Sequence, residues 1–253
     1  MIILLHSSKT MRLQNSDNLR RPALINQAQE IDNYLKTLSP TQLTKIMHIS
    51  NPLAASTHQL IADWTVRPTS LALDSFVGDI YRGLRASQLS TEERDYADKH
   101  LFILSGLYGL LRPFDGIQPY RLEMAYKLPS AKFANLYKYW GSVLADALPA
   151  KQTIVNVSSV EYSKAILPYI DAKRVVTPEF LTLDRKTDQP KFTAVHAKVA
   201  RGAFACWMIQ HQLQDEEKLQ QFNEFGYEYH PGLSKPERPV FVCQEFGGLG
   251  LKV

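Results

Sequence analysis

A chain of 253 residues is long enough for one sizeable core or two smaller ones, and its 45% hydrophobic and 21% charged content excludes disordered, collagen-like and coiled-coil chains. Twenty-nine Lys plus Arg against 25 Asp plus Glu leave a formal charge of +4, a mild bias toward anionic partners that does not demand one. The apolar opening Met1–Leu5 is broken by His6 and Lys9, too short for a signal-peptide core or a spanning helix, so the expected setting is cytoplasmic with no membrane partner.

Met1 to Leu5 reads as a short buried strand, with the polar run His6-Ser7-Ser8-Lys9-Thr10 at its carboxyl end, where α/β sheets tend to hold ligands. From Pro22 to Leu38, Leu24, Ile25, Ala28, Ile31 and Leu35 recur at helical spacing. A second helix is expected after Ser39 as N-cap and Pro40 at the first helical position. Ser90-Thr91-Glu92-Glu93 reads as the cap and acidic first turn of a helix reaching about Leu104, and Lys132 to Leu148 as one amphipathic helix. Thr153–Val157 is β-branched and strand-like, ending in Ser158-Ser159. Val175-Val176 and Lys191 to Val199 are weaker strand signals, Gly202 to Leu219 a last long helix, and Val240–Cys243 a closing strand behind Pro231, Pro236 and Pro239. Strands and helices alternate irregularly without repeats or a dividing linker, which predicts one mixed α/β domain over residues 1–253.

Signatures such as GxGxxG, the P-loop, GxSxG and HExxH are absent, and no two histidines stand at i,i+4 spacing. No metal or cofactor is therefore expected, and enzymatic activity is left open, with a non-catalytic role favoured. Cys206 and Cys243 form no CxxC and are expected as two buried thiols. The densest polar segment runs from Leu104 to Met124. Gly106 and Gly109 would bring backbone N–H groups close to a ligand, and Arg112 and Arg121 would clamp a phosphate or carboxylate; equally, Arg112 with Asp115 and Arg121 with Glu123 would satisfy each other as buried pairs. Between Asp188 and Asp215 no acid occurs, while Lys198 and Arg201 stand three apart among Ala197, Ala200 and Gly202, small neighbours that would leave room for a ligand.

The Leu104–Met124 segment resembles the signature of the YaaA family of bacterial peroxide-stress proteins. The resemblance extends through Lys9-Thr10, Phe76–Tyr81 with Gly83-Leu84, Leu136-Tyr137 with Trp140-Gly141, Asn156 with Ser159 and Glu161-Tyr162, Ala197-Lys198 with Ala200–Gly202, and Phe222 with Gly226-Tyr227. It implies a compact α/β domain of unusual topology with a basic cleft. It also implies a cytosolic protein that limits damage from free iron under peroxide and binds DNA. Leu104–Gly109 is similar to the hydrophobic-x-Gly-hydrophobic-x-Gly pattern of the family's helix-hairpin-helix-like element.

Two readings of the same residues follow. In the first, Lys9, Gly106, Tyr108, Gly109, Arg112, Arg121, Lys198 and Arg201 contact DNA phosphates with little sequence preference, the five cations lining one concave surface. In the second, Asp79, Asp115, Tyr120, Glu123, Ser159, Tyr162 and Lys164 join them around a nucleotide-like or other anionic small molecule, held by a binder or an enzyme. A weaker third places iron on Asp79, Asp115 and Glu123.

Overall fold

The computed structural model describes residues 1–17 and 19–248. Its main sheet is built on β1 (Ile2–His6), an entirely apolar strand up to its last residue. Such a strand is stable only with both faces and both edges covered, which places it centrally in a parallel arrangement. Beside it lies β2 (Leu101–Ser105), in register Ile3 with Leu101 and His6 with Leu104. On its other side lies β4 (Ile154–Asn156), Ile2 opposite Ile154, followed by β5 (Val175–Val176). An antiparallel edge strand, β3 (Gly109–Leu111), completes the order β3-β2-β1-β4-β5.

A second sheet combines β6 (Glu179–Leu183), β7 (Pro190–Lys191), β8 (Tyr227–Tyr229) and β9 (Val240–Cys243) in the order β7-β6-β9-β8. Phe180, Phe204, Phe222, Tyr227 and Phe241 meet beneath it with ring centroids 4.9–6.0 Å apart, mostly edge-to-face, the favoured geometry for aromatic pairs. One buried apolar cluster runs from Met1 to Cys243 through both sheets. The mixed α/β class expected from the alternation is what the chain adopts.

The helices α1 (Ile25–Leu35) and α2 (Pro40–Met47) fall where the apolar spacing places them. At α2 Ser39 and Gln42 form a reciprocal capping box, satisfying two otherwise orphaned N–H groups. Helix α3 is Asn51–Asp63, α4 is Asp79–Leu84, and α5 is Thr91–His100, again capped by a box, of Ser90 with Glu93. Helix α5 stops at His100 rather than Leu104, because Leu-Phe-Ile-Leu-Ser is the buried strand β2; a short apolar run carries no periodicity that separates strand from helix. The expected helix 132–148 is two short ones, Leu136–Trp140 and Val143–Asp146, parted at Gly141, whose φ of 48° a helix cannot carry.

The last helix, α6, spans Ala194–Gln210, so of the expected strand Lys191–Val199 only Lys191 is in one, and Gly202 lies in mid-helix. It is buried almost all round because it packs on β6 with one face and on α4 with another. At that crossing the backbones touch: a Cβ on Gly202 would overlap the Ile80 carbonyl, and one on Gly83 would overlap the Val199 carbonyl. Gly202 thus serves helix packing and not the approach of a ligand. Among the described residues no helix is long and apolar enough to cross a membrane.

The segment Leu104–Gly109, expected as a helical hairpin, is a β-hairpin: β2 turns through Gly106-Leu107-Tyr108 into β3, with Ser105 opposite Gly109. Apolar Leu104, Leu107, Leu110 and Leu111 are all buried, and strand pairing to β1 outweighs the local pattern.

Candidate anion-binding cleft

The chain leaves β1 toward β2 on one side and returns to β4 on the other, so the loops beyond the carboxyl ends of β1 and β4 diverge. Such a switch point opens a crevice. Here it is a cleft of about 390 Å³ lined by the loop His6–Thr10, by Val77–Ile80 at the start of α4, by Glu123, by Ser159, Glu161 and Tyr162 beyond β4, and by Lys198 of α6. The ladder Thr10–Met11 against Phe76–Val77 holds the first two walls together. The Gly83–Gly202 crossing fixes α4, and with it Asp79, against the helix that carries Lys198 and Arg201.

On the cleft floor, His6 stacks on Tyr162 with centroids 5.0 Å apart, and its Nδ1 accepts the Ser159 N–H at 3.1 Å. The ring proton therefore resides on Nε2. Burial, then the charges of Arg201 and Lys198, push the His6 pKa down to about 3, so the ring is neutral at physiological pH. Tyr162 Oη donates to Glu123 Oε1 at 3.2 Å and accepts from Ser7 Oγ at 3.4 Å. Burial, then repulsion from Glu161, raises the Glu123 carboxyl above its usual range, against the pull of Lys9, whose Nζ lies 3.9 Å from Glu123 Oε2. Tyr120 sits beneath this floor, its hydroxyl 2.7 Å from Ser105 Oγ. The Arg121 guanidinium reaches the Lys9 carbonyl at 3.3 Å from Nη1, while its Nε is buried with no protein partner.

Unlike Lys9, Lys198 and Arg201 have no carboxylate within ion-pair distance among the described residues. Burial holds the Arg201 pKa below its ordinary value, with Glu179 pulling the other way. A half-buried guanidinium without a close ion pair is costly, and an anion in the cleft would reduce that cost.

Of the residues singled out in the sequence, Lys9, Asp79, Glu123, Ser159, Tyr162 and Lys198 meet in this cleft, with Arg121, Arg201 and Tyr120 at its edges. The other members lie elsewhere. Arg112 does not join the cations, because β3 runs back antiparallel and delivers it to the amino end of β2, where it donates to the Asp98 carbonyl at 2.7 and 2.9 Å and to Asp98 Oδ2 at 3.0 Å. Asp115 accepts the Arg112 N–H at 2.8 Å and pairs with Arg20 at 2.6 Å, so this is a structural network far from Asp79 and Glu123, and the iron triad is not assembled. Tyr108 is in the core, accepting from Trp64 Nε1 at 3.0 Å and from the Gln118 N–H at 2.9 Å. Gly106 and Gly109 pack against Leu122 and Trp140, and Gly109 needs its φ of 69° for the turn; both glycines serve the hairpin. Lys164 is exposed beyond the short helix Val160–Ser163. His6, Ser7 and Ser8, though placed by the sequence at a ligand-holding strand end, and Glu161, though part of the family resemblance, were not named among the candidate site residues.

Known sequences match this chain over most of its length. The sequence model described as "Peroxide stress protein YaaA" aligns with residues 1–233. The chain belongs to that family. A UPF0246 protein of Salinispora tropica is 52% identical over 257 residues, covering 100% of this chain and 98% of its own. UPF0246 proteins of Ralstonia pickettii and Cellvibrio japonicus are 39% and 37% identical, covering 95% and 89% of this chain and 98% and 90% of their own lengths. The YaaA family resemblance read from scattered blocks thus extends over most of the chain.

Proposed function

We propose that this YaaA-family protein acts in the cytoplasmic peroxide-stress response by binding an anionic, nucleotide-like small molecule in the cleft at the carboxyl ends of β1 and β4. The observation that carries this reading is the pair Lys198 and Arg201, neither of them in an ion pair with a carboxylate among the described residues, near a neutral His6 on the floor of the crevice. Its size suits a small ligand, since typical pockets occupy ~300–1,000 Å³. Lys198 supplies charge, Arg201 a fork for phosphate or carboxylate oxygens, and His6 Nε2–H a neutral donor. Glu123, hydrogen-bonded to Tyr162, would exclude a ligand that places negative charge at that end.

A second reading, contact with the DNA backbone, draws on the exposure of Lys9, whose side chain is 57% accessible, and of Lys198 at the rim. In that reading the protein would shield DNA from iron-dependent damage. Calorimetric titration with a mononucleotide and with a short duplex separates the two. The small-ligand reading expects saturable mononucleotide binding weakened more than tenfold by Lys198→Ala with Arg201→Ala, about 1.4 kcal/mol or more. Binding only to the duplex, falling steeply with salt, would replace it by the DNA reading.

A further inference from the structure

Behind the ladder that walls the first cleft is a second concavity of about 480 Å³, sharing only Val77 with it. Its cations come from two segments: Arg12 directly follows the Thr10–Met11 strand, and Arg82 and Arg85 stand three apart on and just beyond α4. We propose that this concavity is a separate binding site for a phosphate-bearing small molecule, independent of the first cleft.

Three guanidiniums face one carboxylate in the lining, Asp74, and both terminal nitrogens of Arg94 already hold that carboxylate, at 3.0 and 2.5 Å. Arg12 has no side-chain partner among the described residues. Arg82 meets Asp79 only at 3.8 Å and is 56% exposed, free to turn toward a ligand. Arg85 is built differently. Its Nη2 holds Glu224 at 2.6 Å, its guanidinium lies 5.3 Å from the Phe225 ring centroid, and its Nε is buried with no partner. Its backbone has φ 50°, the left-handed conformation in which α4 ends, with its N–H bonded to the Tyr81 carbonyl. Glu224 neutralises Arg85, which leaves Arg12, from another segment, and the loosely paired Arg82 as the open cations of the concavity. An anion bridging Arg12 and Arg82, with Arg85 anchored behind, would supply their counter-charge. The planar forks suit the oxygens of a phosphate better than a halide. Gln14, Ser87 and Gln88 add neutral groups able to donate to the same oxygens.

The test is calorimetric titration of the full chain with inorganic pyrophosphate, in wild type, in Arg12→Ala/Arg82→Ala, and in Lys198→Ala/Arg201→Ala. Arg12 and Arg82 are exposed, so the first variant should melt as wild type does, and a melting curve verifies this. The expected result is a pyrophosphate site lost or weakened at least tenfold in Arg12→Ala/Arg82→Ala and retained in Lys198→Ala/Arg201→Ala. Arg85→Lys, which keeps charge but not the fork, should weaken the same site. Unchanged titration in Arg12→Ala/Arg82→Ala, or wild-type binding weaker than about millimolar, would overturn the proposal whatever the first cleft binds.

Discussion

Replacing Gly202 by alanine probes the contact that brings the two halves of the cleft together. In an isolated helix the change is favourable by about 0.8–1 kcal/mol, because alanine is the better helix former. In this chain the new Cβ would overlap the Ile80 carbonyl oxygen and lie 2.8 Å from the Ile80 carbonyl carbon and the Leu84 nitrogen. All three obstacles are backbone of α4, which cannot turn aside as a flexible side chain can, so the overpacking belongs at or beyond the upper end of the usual ~1–3 kcal/mol. Subtracting the helix gain leaves a net loss of about 2 kcal/mol or more. For a chain of this size each kcal/mol moves the melting temperature by about 2–4 °C, so the midpoint should fall by at least about 4–8 °C. Thermal melting by circular dichroism reads the shift. Gly232→Ala is the control, since its Cβ would find only ordinary contact with His230 at 3.4 Å. Because α4 carries Asp79 and α6 carries Lys198, ligand affinity should fall along with stability. A Gly202→Ala protein that melts at or above wild type would refute the close-crossing argument.

Other outcomes follow from the same geometry. His6 has a folded-state pKa of about 3 against about 6.5 unfolded, so the unfolded chain binds the extra proton first and stability declines as pH falls through that window. At pH 4.5 the ceiling on this loss is about 2.7 kcal/mol, and solvent reaching the ring from the cleft reduces it to about 1–2; urea midpoints of wild type and His6→Asn should converge by that amount between pH 7 and pH 4.5. Arg112→Ala should lower stability by about 1–3 kcal/mol, by leaving Asp98 short of a partner, without altering ligand titration, whereas Arg121→Ala should do the opposite; a reversed pattern in melting and calorimetry would exchange their roles. Neither cysteine should react quickly with peroxide, because both are wholly buried and burial raises both thiols, Cys243 to about 11; rapid sulfenic acid formation seen by mass spectrometry of the folded protein would contradict this.

The legibility of this chain depended on how local each signal was. The Ser39 and Ser90 caps, the apolar β1 and the closing strand Val240–Cys243 are set by adjacent residues and were readable directly. The Leu104–Gly109 turn was not, since its glycines answer to Leu122 and Trp140, distant in sequence. Arg112 and Arg121 look equivalent as a pair of cations nine positions apart. Only the antiparallel return of β3 sends Arg112 to one end of the sheet, while Arg121 reaches Lys9 at the other. Likewise nothing near Gly202 in sequence announces Ile80, so a packing glycine resembled a ligand-approach glycine. Of the six cleft residues named from the sequence, Lys9, Ser159 and Lys198 belong to polar or basic runs abutting apolar elements.

The central strand also has a history during synthesis. β1 emerges first, yet its neighbours are Leu101–Ser105 and Ile154–Asn156, so at ~5–20 residues per second its apolar edges wait many seconds for a native partner. Throughout that interval Ile2–Leu5 is a sticky ribbon in search of another edge, and the His6–Thr10 loop has nothing to frame. The cleft is therefore a late product of folding, assembled only after α6 has also been made. Truncated or stalled chains should be prone to aggregate while holding no ligand, and chaperone demand should peak before the second half of the chain appears.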